Sequence, residues 1–121
     1  MSAWVWLGVA ALGAAGASGR FVLDSVIGGL GRSGLPLGTF AVNATGAFAL
    51  GLLTGLAVGG ELLILAGTAA LGSYTTFSTW LLETHRLAED GRGAAAAINA
   101  VGALAVGVAA AALGRLIGAQ L

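Results

Sequence analysis

Charged side chains divide this chain of 121 residues into four long uncharged stretches. The stretches cover residues 1–19, 33–60, 62–82 and 93–114. A membrane-spanning helix takes about 20 apolar residues, and all four stretches reach or approach that length. We therefore expect an all-α membrane protein whose four transmembrane helices use nearly the whole chain, as a single domain over residues 1–121. The predicted spans lie at about residues 3–22, 36–58, 61–84 and 93–117.

The connections between the predicted spans are short. Residues 28–34 are glycine-rich and form the expected loop before span 2, which Pro36 opens at the first turn, where its missing N–H has no cost. Residues 59–61 form a tight turn, so spans 2 and 3 are expected to be antiparallel neighbours. The polar stretch 83–93 is predicted to be a solvated loop with a helix end.

Composition strengthens the membrane prediction and excludes several classes of function. Apolar residues make up 58% of the chain and charged residues 8%, with a mean hydropathy of +0.98. A soluble domain carries about 25% charged residues. Five arginines balance five acidic residues, Cys is absent and there is one His, which gives no basis for nucleic-acid binding, thiol chemistry or a His-rich metal site. No paired carboxylates or Ser/His/acid set lies within a span, so we expect no enzyme.

Glycine supplies 22 residues, many of them inside the predicted spans. Gly51 and Gly55 form one pair of small residues four apart, and Gly114 and Gly118 form another. Such pairs allow membrane helices to approach closely. Because four thin helices enclose little volume, we also expect the chain to pack against a second copy.

The centre of the third uncharged stretch is unusually polar. Residues 72–80 have the sequence GSYTTFSTW, with five Ser and Thr hydroxyls and a Tyr behind a Gly. Polar groups at membrane depth are costly unless they face protein, water or an ion. A helix break there is tolerated only where the freed backbone groups find partners or line a cavity. We predict that the third helix is broken here, at mid-membrane, and that the function of this segment involves a small ion or solute.

Candidate functional side chains flank this stretch. Thr39 and Asn43 share one face of span 2, and Asn43 either bonds to a neighbouring helix or offers amide donors to an anion. Phe77 and Trp80 are three residues apart and either pack between helices or present positive ring edges to an anion. Arg20, at the end of span 1, either anchors the chain at the interface or attracts anions.

The backbone at the break and one acidic side chain each allow two interpretations. Unwound backbone at Gly72 and Thr75 would expose carbonyl oxygens that coordinate bare cations, unless the Thr hydroxyls merely stabilise a kink. Glu83 ends span 3 and is expected to form a solvated pair with Arg86, the alternative being a partner on another helix.

Three stretches together resemble the Fluc (CrcB) family of fluoride channels. They are Gly19-Arg20-Phe21, residues 38–46 (GTFAVNATG) and residues 72–80, and the length and four-span layout extend the resemblance over the whole chain. The resemblance implies a multi-pass protein of the plasma (inner) membrane that exports fluoride passively. It implies dual-topology, antiparallel dimers with two pores at the interface and a central structural sodium ion. The partner would be a second copy of this chain or a homologous subunit.

The resemblance also assigns roles to residues. The backbone carbonyls of Gly72 and Thr75 would hold the sodium ion, Arg20 would lie in the vestibule, and Glu83 matches an acidic residue of the family. The expected pore residues are Thr39, Asn43, Phe77, Ser78, Thr79 and Trp80.

Two positions depart from the family pattern. Trp80 replaces a second pore phenylalanine, and Asn99 and Ala103 stand where the family has a tyrosine and a serine in span 4. Asn99 retains a donor, whereas Ala103 does not, so one pore or part of each is expected to be altered. The alternative function is therefore a non-conducting or half-pore subunit of a heterodimeric channel. A small-solute or drug transporter is disfavoured, because no acidic residue lies inside a span.

The arginines are unevenly distributed across the predicted topology. The side that holds both termini and the 59–61 turn carries only Arg115. The opposite side carries Arg20, Arg32, Arg86 and Arg92, which are four arginines, or three if Arg20 is buried. Cytoplasmic loops are enriched in positive charge, so this distribution places both termini outside. A dual-topology homodimer should show little bias, which favours one half of a heterodimeric pair.

Overall fold

The computed structural model describes residues 1–31 and 34–121, and all regular structure within them is helical, which confirms the all-α prediction for the described residues. We number the helices α1 (Ala3–Leu30), α2 (Leu37–Gly55), α3 (residues 60–74), α4 (Ser78–Glu89) and α5 (Gly93–Gln120). Two π-helical segments interrupt them, at Ile64–Leu71 in α3 and at Ile98–Gly102 in α5.

Three helices in the described part of the chain, α1, α2 and α5, are long and apolar enough to cross a membrane by length and composition. The remaining predicted span is occupied by two shorter helices. α3 ends at Tyr74 and α4 begins at Ser78, and Thr75 between them has an extended backbone. We call residues 75–77 the junction.

α1 corrects the predicted end of the first span. It continues to Leu30 instead of ending near residue 22, so Gly28 lies in the helix and not in a loop. Arg20 interrupts the uncharged stretch without interrupting the helix, because a charge limits burial in a membrane and not helical geometry. The predicted loop also included residues 32 and 33, which lie outside the described residues.

The other boundaries are closer to the prediction, with one exception. α2 begins directly after Pro36 and ends at Gly55, and both Ala57 in the following turn and Gly60 at the start of α3 have positive φ. The stretch 83–93, predicted to be mainly loop, is helical as far as Glu89, since Leu87 on α4 is buried against the bundle. Its turn is limited to residues 90–92, with Gly91 at φ +75°.

α2 and α5 pack backbone against backbone through the predicted glycine pairs. A side chain added at Gly51 would overlap the backbone carbonyl of Ala111, and one added at Gly114 would overlap that of Phe48. The second glycine of each pair, one turn further along, makes the same approach. The small residues thus serve a contact within the chain, where only a glycine leaves room for the opposing backbone.

α1 lies against both α2 and α3. Gly16 of α1 faces the backbone of Ala70, and Gly38 of α2 faces Asp24 of α1. At one end of the bundle Arg92 donates to the carbonyl of Gly34 over 3.1 Å, which joins the segment before α2 to the turn before α5. Most of the exposed large apolar side chains among the described residues lie on α1 and α5, as expected for helices that face lipid.

Candidate functional site

The junction is held in place by one side chain of α2. The Nδ2 of Asn43 donates to the carbonyl of Thr76 over 2.7 Å, and its Oδ1 accepts from the N–H of Thr76 at 2.8 Å. A single amide therefore satisfies both backbone groups of one non-helical residue. Of the two alternatives for Asn43, the structure contains the bond between helices. The second Nδ2 hydrogen has no partner among the described residues.

This arrangement redirects the donors of two backbone carbonyls. In a continuous α-helix the N–H of Thr76 would bond the carbonyl of Gly72, and that of Thr79 would bond the carbonyl of Thr75. Here the first N–H bonds Asn43, and the second bonds the hydroxyl of Thr76 at 3.2 Å. The two predicted cation-binding carbonyls thus lose their helical donors, as do the carbonyls of Ser73 and Tyr74 between them.

Hydroxyl groups complete the local bonding of the junction. The hydroxyl of Thr75 returns to the carbonyl of Leu71 at 3.0 Å, and the hydroxyl of Thr76 donates to that of Thr79 at 3.1 Å. Tyr74 and Thr45 are joined through their hydroxyls at 2.7 Å, which ties the end of α3 to α2. These contacts fix the backbone on both sides of residues 75–77.

Thr39, on the same face of α2 as Asn43, holds α4. Its hydroxyl donates to Oε1 of Glu83 over 3.0 Å, while Oε2 is buried without a hydrogen-bond partner among the described residues. The expected solvated pair of Glu83 with Arg86 is therefore wrong, and the alternative partner on another helix is present. The cause is that α4 continues through Glu83 and packs against α2, which turns the carboxylate inward.

A cavity of about 210 Å³ lies between α1, α2 and the junction. Arg20 lines it, and no hydrogen bond or ion pair engages its guanidinium within the described part of the chain. The other lining residues are Ala17, Phe21, Asp24, Thr39, Val42, Thr76 and Thr79. Asp24 is a site residue that the sequence analysis missed, although its position one turn after Arg20 puts it on the same helix face.

The two aromatic candidates contact each other just after the junction. The rings of Phe77 and Trp80 have centroids 5.4 Å apart and are inclined by 59°. Phe77 is 70% exposed, and Ser78 beside it is also exposed. Trp80 is half-buried, and its indole N–H donates to the backbone carbonyl of Asn99 over 3.1 Å.

Asn99 occupies a different environment from the other candidates. It is 7% exposed, lies in the π-helical segment of α5, and donates through Nδ2 to the hydroxyl of Thr84 at 2.8 Å. With Ala103 it lines a second, apolar cavity of about 290 Å³ beneath the start of α2. The structure thus brings Arg20, Thr39 and Thr79 to one cavity and places Asn99 at another.

The family match and the most similar known proteins indicate the same family. The family described as "CrcB-like protein, Camphor Resistance (CrcB)" matches residues 7–115. The chain is 49% identical to the "Fluoride-specific ion channel FluC 2" of Mycolicibacterium paratuberculosis over 117 residues, or 97% of this chain and 95% of that protein. It is 51% identical to the protein of the same name from Haloarcula marismortui over 94 residues, or 78% and 79%. It is 46% identical to the "Fluoride-specific ion channel FluC 1" of Symbiobacterium thermophilum over 121 residues, or 95% and 96%.

Proposed function

The chain belongs to the CrcB-like family, which is a family of ion channels and not of enzymes, and on this premise we propose that it conducts fluoride. Passive flow outward across the plasma (inner) membrane would lower cytoplasmic fluoride. Relatives that match nearly the whole chain are named as fluoride-specific channels, which supports the choice of ion.

One observation carries the proposed ion path. Arg20, which has no hydrogen-bond or ion-pair partner among the described residues, shares a cavity with the hydroxyls of Thr39, Thr76 and Thr79. A small, strongly hydrated anion loses favourable hydration on entering a membrane, and it needs charge and hydrogen-bond donors in exchange. In this proposal Arg20 attracts fluoride into the cavity, and two donors replace part of its water: the Thr79 hydroxyl and the second Nδ2 hydrogen of Asn43. The hydroxyl hydrogens of Thr39 and Thr76 are already donated to Glu83 and Thr79.

The rest of the path is proposed to run along an interface between two chains. Phe77 and Ser78 are exposed on the surface of a single chain, next to a junction that lies within the predicted span. A hydroxyl at membrane depth must face protein or water. An antiparallel partner would cover this surface and leave a narrow path beside the ring edge of Phe77, which carries partial positive charge.

A structural sodium ion fits the residues at the junction. The carbonyls of Gly72 and Thr75 have lost their helical donors, and carbonyl oxygens are suitable ligands for a hard cation. We propose that these two carbonyls, together with the same pair from the antiparallel partner, would hold Na⁺ between the chains. The positive charge would also favour an anion nearby.

Passive efflux from liposomes tests the function. Purified chain is reconstituted into liposomes loaded with fluoride and chloride, and both ions are followed outside with ion-selective electrodes. We expect rapid fluoride release without chloride release, since detergent imposes no orientation and allows antiparallel pairs to form from one chain type. Equal release of both ions would contradict fluoride selectivity.

A half-pore subunit of a heterodimeric channel is the second candidate. It is favoured by the burial of Asn99, whose amide is bonded to Thr84 and so does not replace the missing tyrosine as an exposed donor. This candidate predicts no fluoride release from the chain alone and restored release after co-reconstitution with a homologous chain. Fluoride release from the chain alone would exclude it.

A further inference from the structure

We infer that Thr84 and Asn99 are positioning residues that fix the ring of Trp80 and, through it, the ring of Phe77. Neither residue lies on the proposed ion path. Their effect on conduction would therefore be indirect, through the orientation of an aromatic pair. The part of this inference that concerns conduction rests on the proposed function, whereas the part that concerns the orientation of Trp80 does not.

Three hydrogen bonds form a closed cycle between α4 and α5. The indole N–H of Trp80 donates to the backbone carbonyl of Asn99 at 3.1 Å. The side-chain Nδ2 of Asn99 donates to the hydroxyl of Thr84 at 2.8 Å. That hydroxyl donates in turn to the backbone carbonyl of Trp80 at 2.8 Å. Each residue both donates and accepts, so loss of one side chain weakens the whole cycle.

The π-helical segment of α5 supplies the acceptor. The carbonyl oxygen of Asn99 accepts one hydrogen bond from the N–H of Ala103 and a second from the indole of Trp80. Both lone pairs of this oxygen are therefore used. π-helical segments often occur at functional sites. Since Asn99 is nearly fully buried, water cannot readily replace a broken bond, and the cycle is costly to open.

The fixed indole in turn limits Phe77. The Phe77 and Trp80 rings are 5.4 Å apart at 59°, a separation and inclination that are typical of stabilising aromatic pairs. Phe77 is largely exposed and has no other ring contact among the described residues. Contact with the Trp80 ring therefore restricts the rotation of the Phe77 side chain. Because the indole N–H already donates to Asn99, Trp80 would affect conduction by positioning the Phe77 ring and not by donating a hydrogen bond to the anion.

Indole hydrogen exchange tests the orientation of Trp80 without reference to ion flow. Replacing Trp4 and Trp6 with Phe leaves Trp80 as the single tryptophan, whose ¹⁵N-labelled indole is observed by NMR in micelles. Thr84→Val removes the hydroxyl, and Thr84→Ser retains it as the matched control. We expect exchange roughly tenfold faster in Thr84→Val, the factor for weakening one buried hydrogen bond, and near the parent rate in Thr84→Ser. Unchanged exchange in Thr84→Val would overturn the inference.

Fluoride efflux tests the consequence for Phe77. We expect Thr84→Val to slow fluoride release several-fold and Thr84→Ser to restore it. Asn99→Ala is the second variant, since it removes the amide and should change exchange and efflux in the same direction if Thr84→Val does not fold. Faster exchange with unchanged fluoride release would contradict the positioning role. If the parent chain releases no fluoride, the proposed function fails, and the exchange result still decides whether the cycle orients Trp80.

Discussion

Phe77 is the pore candidate whose replacement should affect the fold least, because 70% of it is exposed and its ring contact among the described residues is with Trp80. We expect Phe77→Ile to slow fluoride release from liposomes about tenfold, which corresponds to roughly 1.4 kcal/mol of lost stabilisation of the ion. The melting temperature should not change. Trp6→Ile, which replaces an exposed aromatic residue in the first turn of α1, should leave both quantities unchanged. Unaltered fluoride release in Phe77→Ile would remove this ring from the path.

Asn43 should behave differently, because it is both a candidate donor and the support of the junction. Asn43→Ala leaves the N–H and the carbonyl of Thr76 without their partner. A buried unpaired group costs about 1–3 kcal/mol, and because Thr76 is only partly buried we expect the lower end of that range. We expect slower fluoride release together with a lower melting temperature in detergent. Thr54→Ala is the control on the same helix, since its hydroxyl donates to the carbonyl one turn earlier and has no further partner among the described residues. A variant that melts like the parent would show that Asn43 does not support the junction.

Among the elements, α2 and α5 approach each other so closely that their contact leaves no room for added volume at its glycines. A Cβ at Gly114 would overlap the carbonyl of Phe48, whereas one at Gly107 would meet no atom within 4 Å. We expect Gly114→Ala to destabilise the chain by about 1–3 kcal/mol through overpacking. Gly107→Ala, in the same helix, should be neutral or stabilising by up to about 1 kcal/mol through helix propensity. Thermal unfolding of both variants in one detergent provides the comparison, and equal stabilities would contradict the close approach.

The junction between α3 and α4 should respond to the cation in solution. If Gly72 and Thr75 hold Na⁺, sodium binds the folded assembly and stabilises it by about 2.7 kcal/mol at a concentration 100 times its dissociation constant. The melting temperature should therefore rise with Na⁺ concentration. The same series with N-methylglucamine, which is too large for such a site, controls for ionic strength. Identical curves in the two salts would exclude sodium as a structural ligand.

Elements and contacts differ in how far the sequence predicts them. The positions of α2 and α5 follow from uncharged stretches of sufficient length, and the polar residues 72–80 mark the segment where α3 ends. The bond from Asn43 to Thr76 could not be predicted, because it spans 33 residues and depends on the rotation of one helix against another. The same holds for the bond from Trp80 to Asn99, whose acceptor is a backbone carbonyl that carries no signal in the sequence.

Which chain could act as the proposed antiparallel partner depends on how this chain inserts into the membrane. One arginine lies on the side of the termini and up to four on the other, although one of these, Arg32, is outside the described residues. The hydrogen bond from Arg92 to the carbonyl of Gly34 places the segment before α2 and the turn before α5 at the same end of the bundle. The count of arginines on each side assumes this arrangement.

This charge distribution predicts that the chain inserts in cells mainly with both termini outside. The chain has no cysteine, so a single cysteine added at either terminus can be labelled with a membrane-impermeant maleimide on intact cells. We expect labelling of most molecules at both termini, and little labelling of a cysteine placed in the 90–92 turn. An antiparallel pair would then require a homologous second chain in the cell, even if the purified chain pairs with itself in detergent. Equal labelling of the termini and the turn would instead show that one chain supplies both orientations.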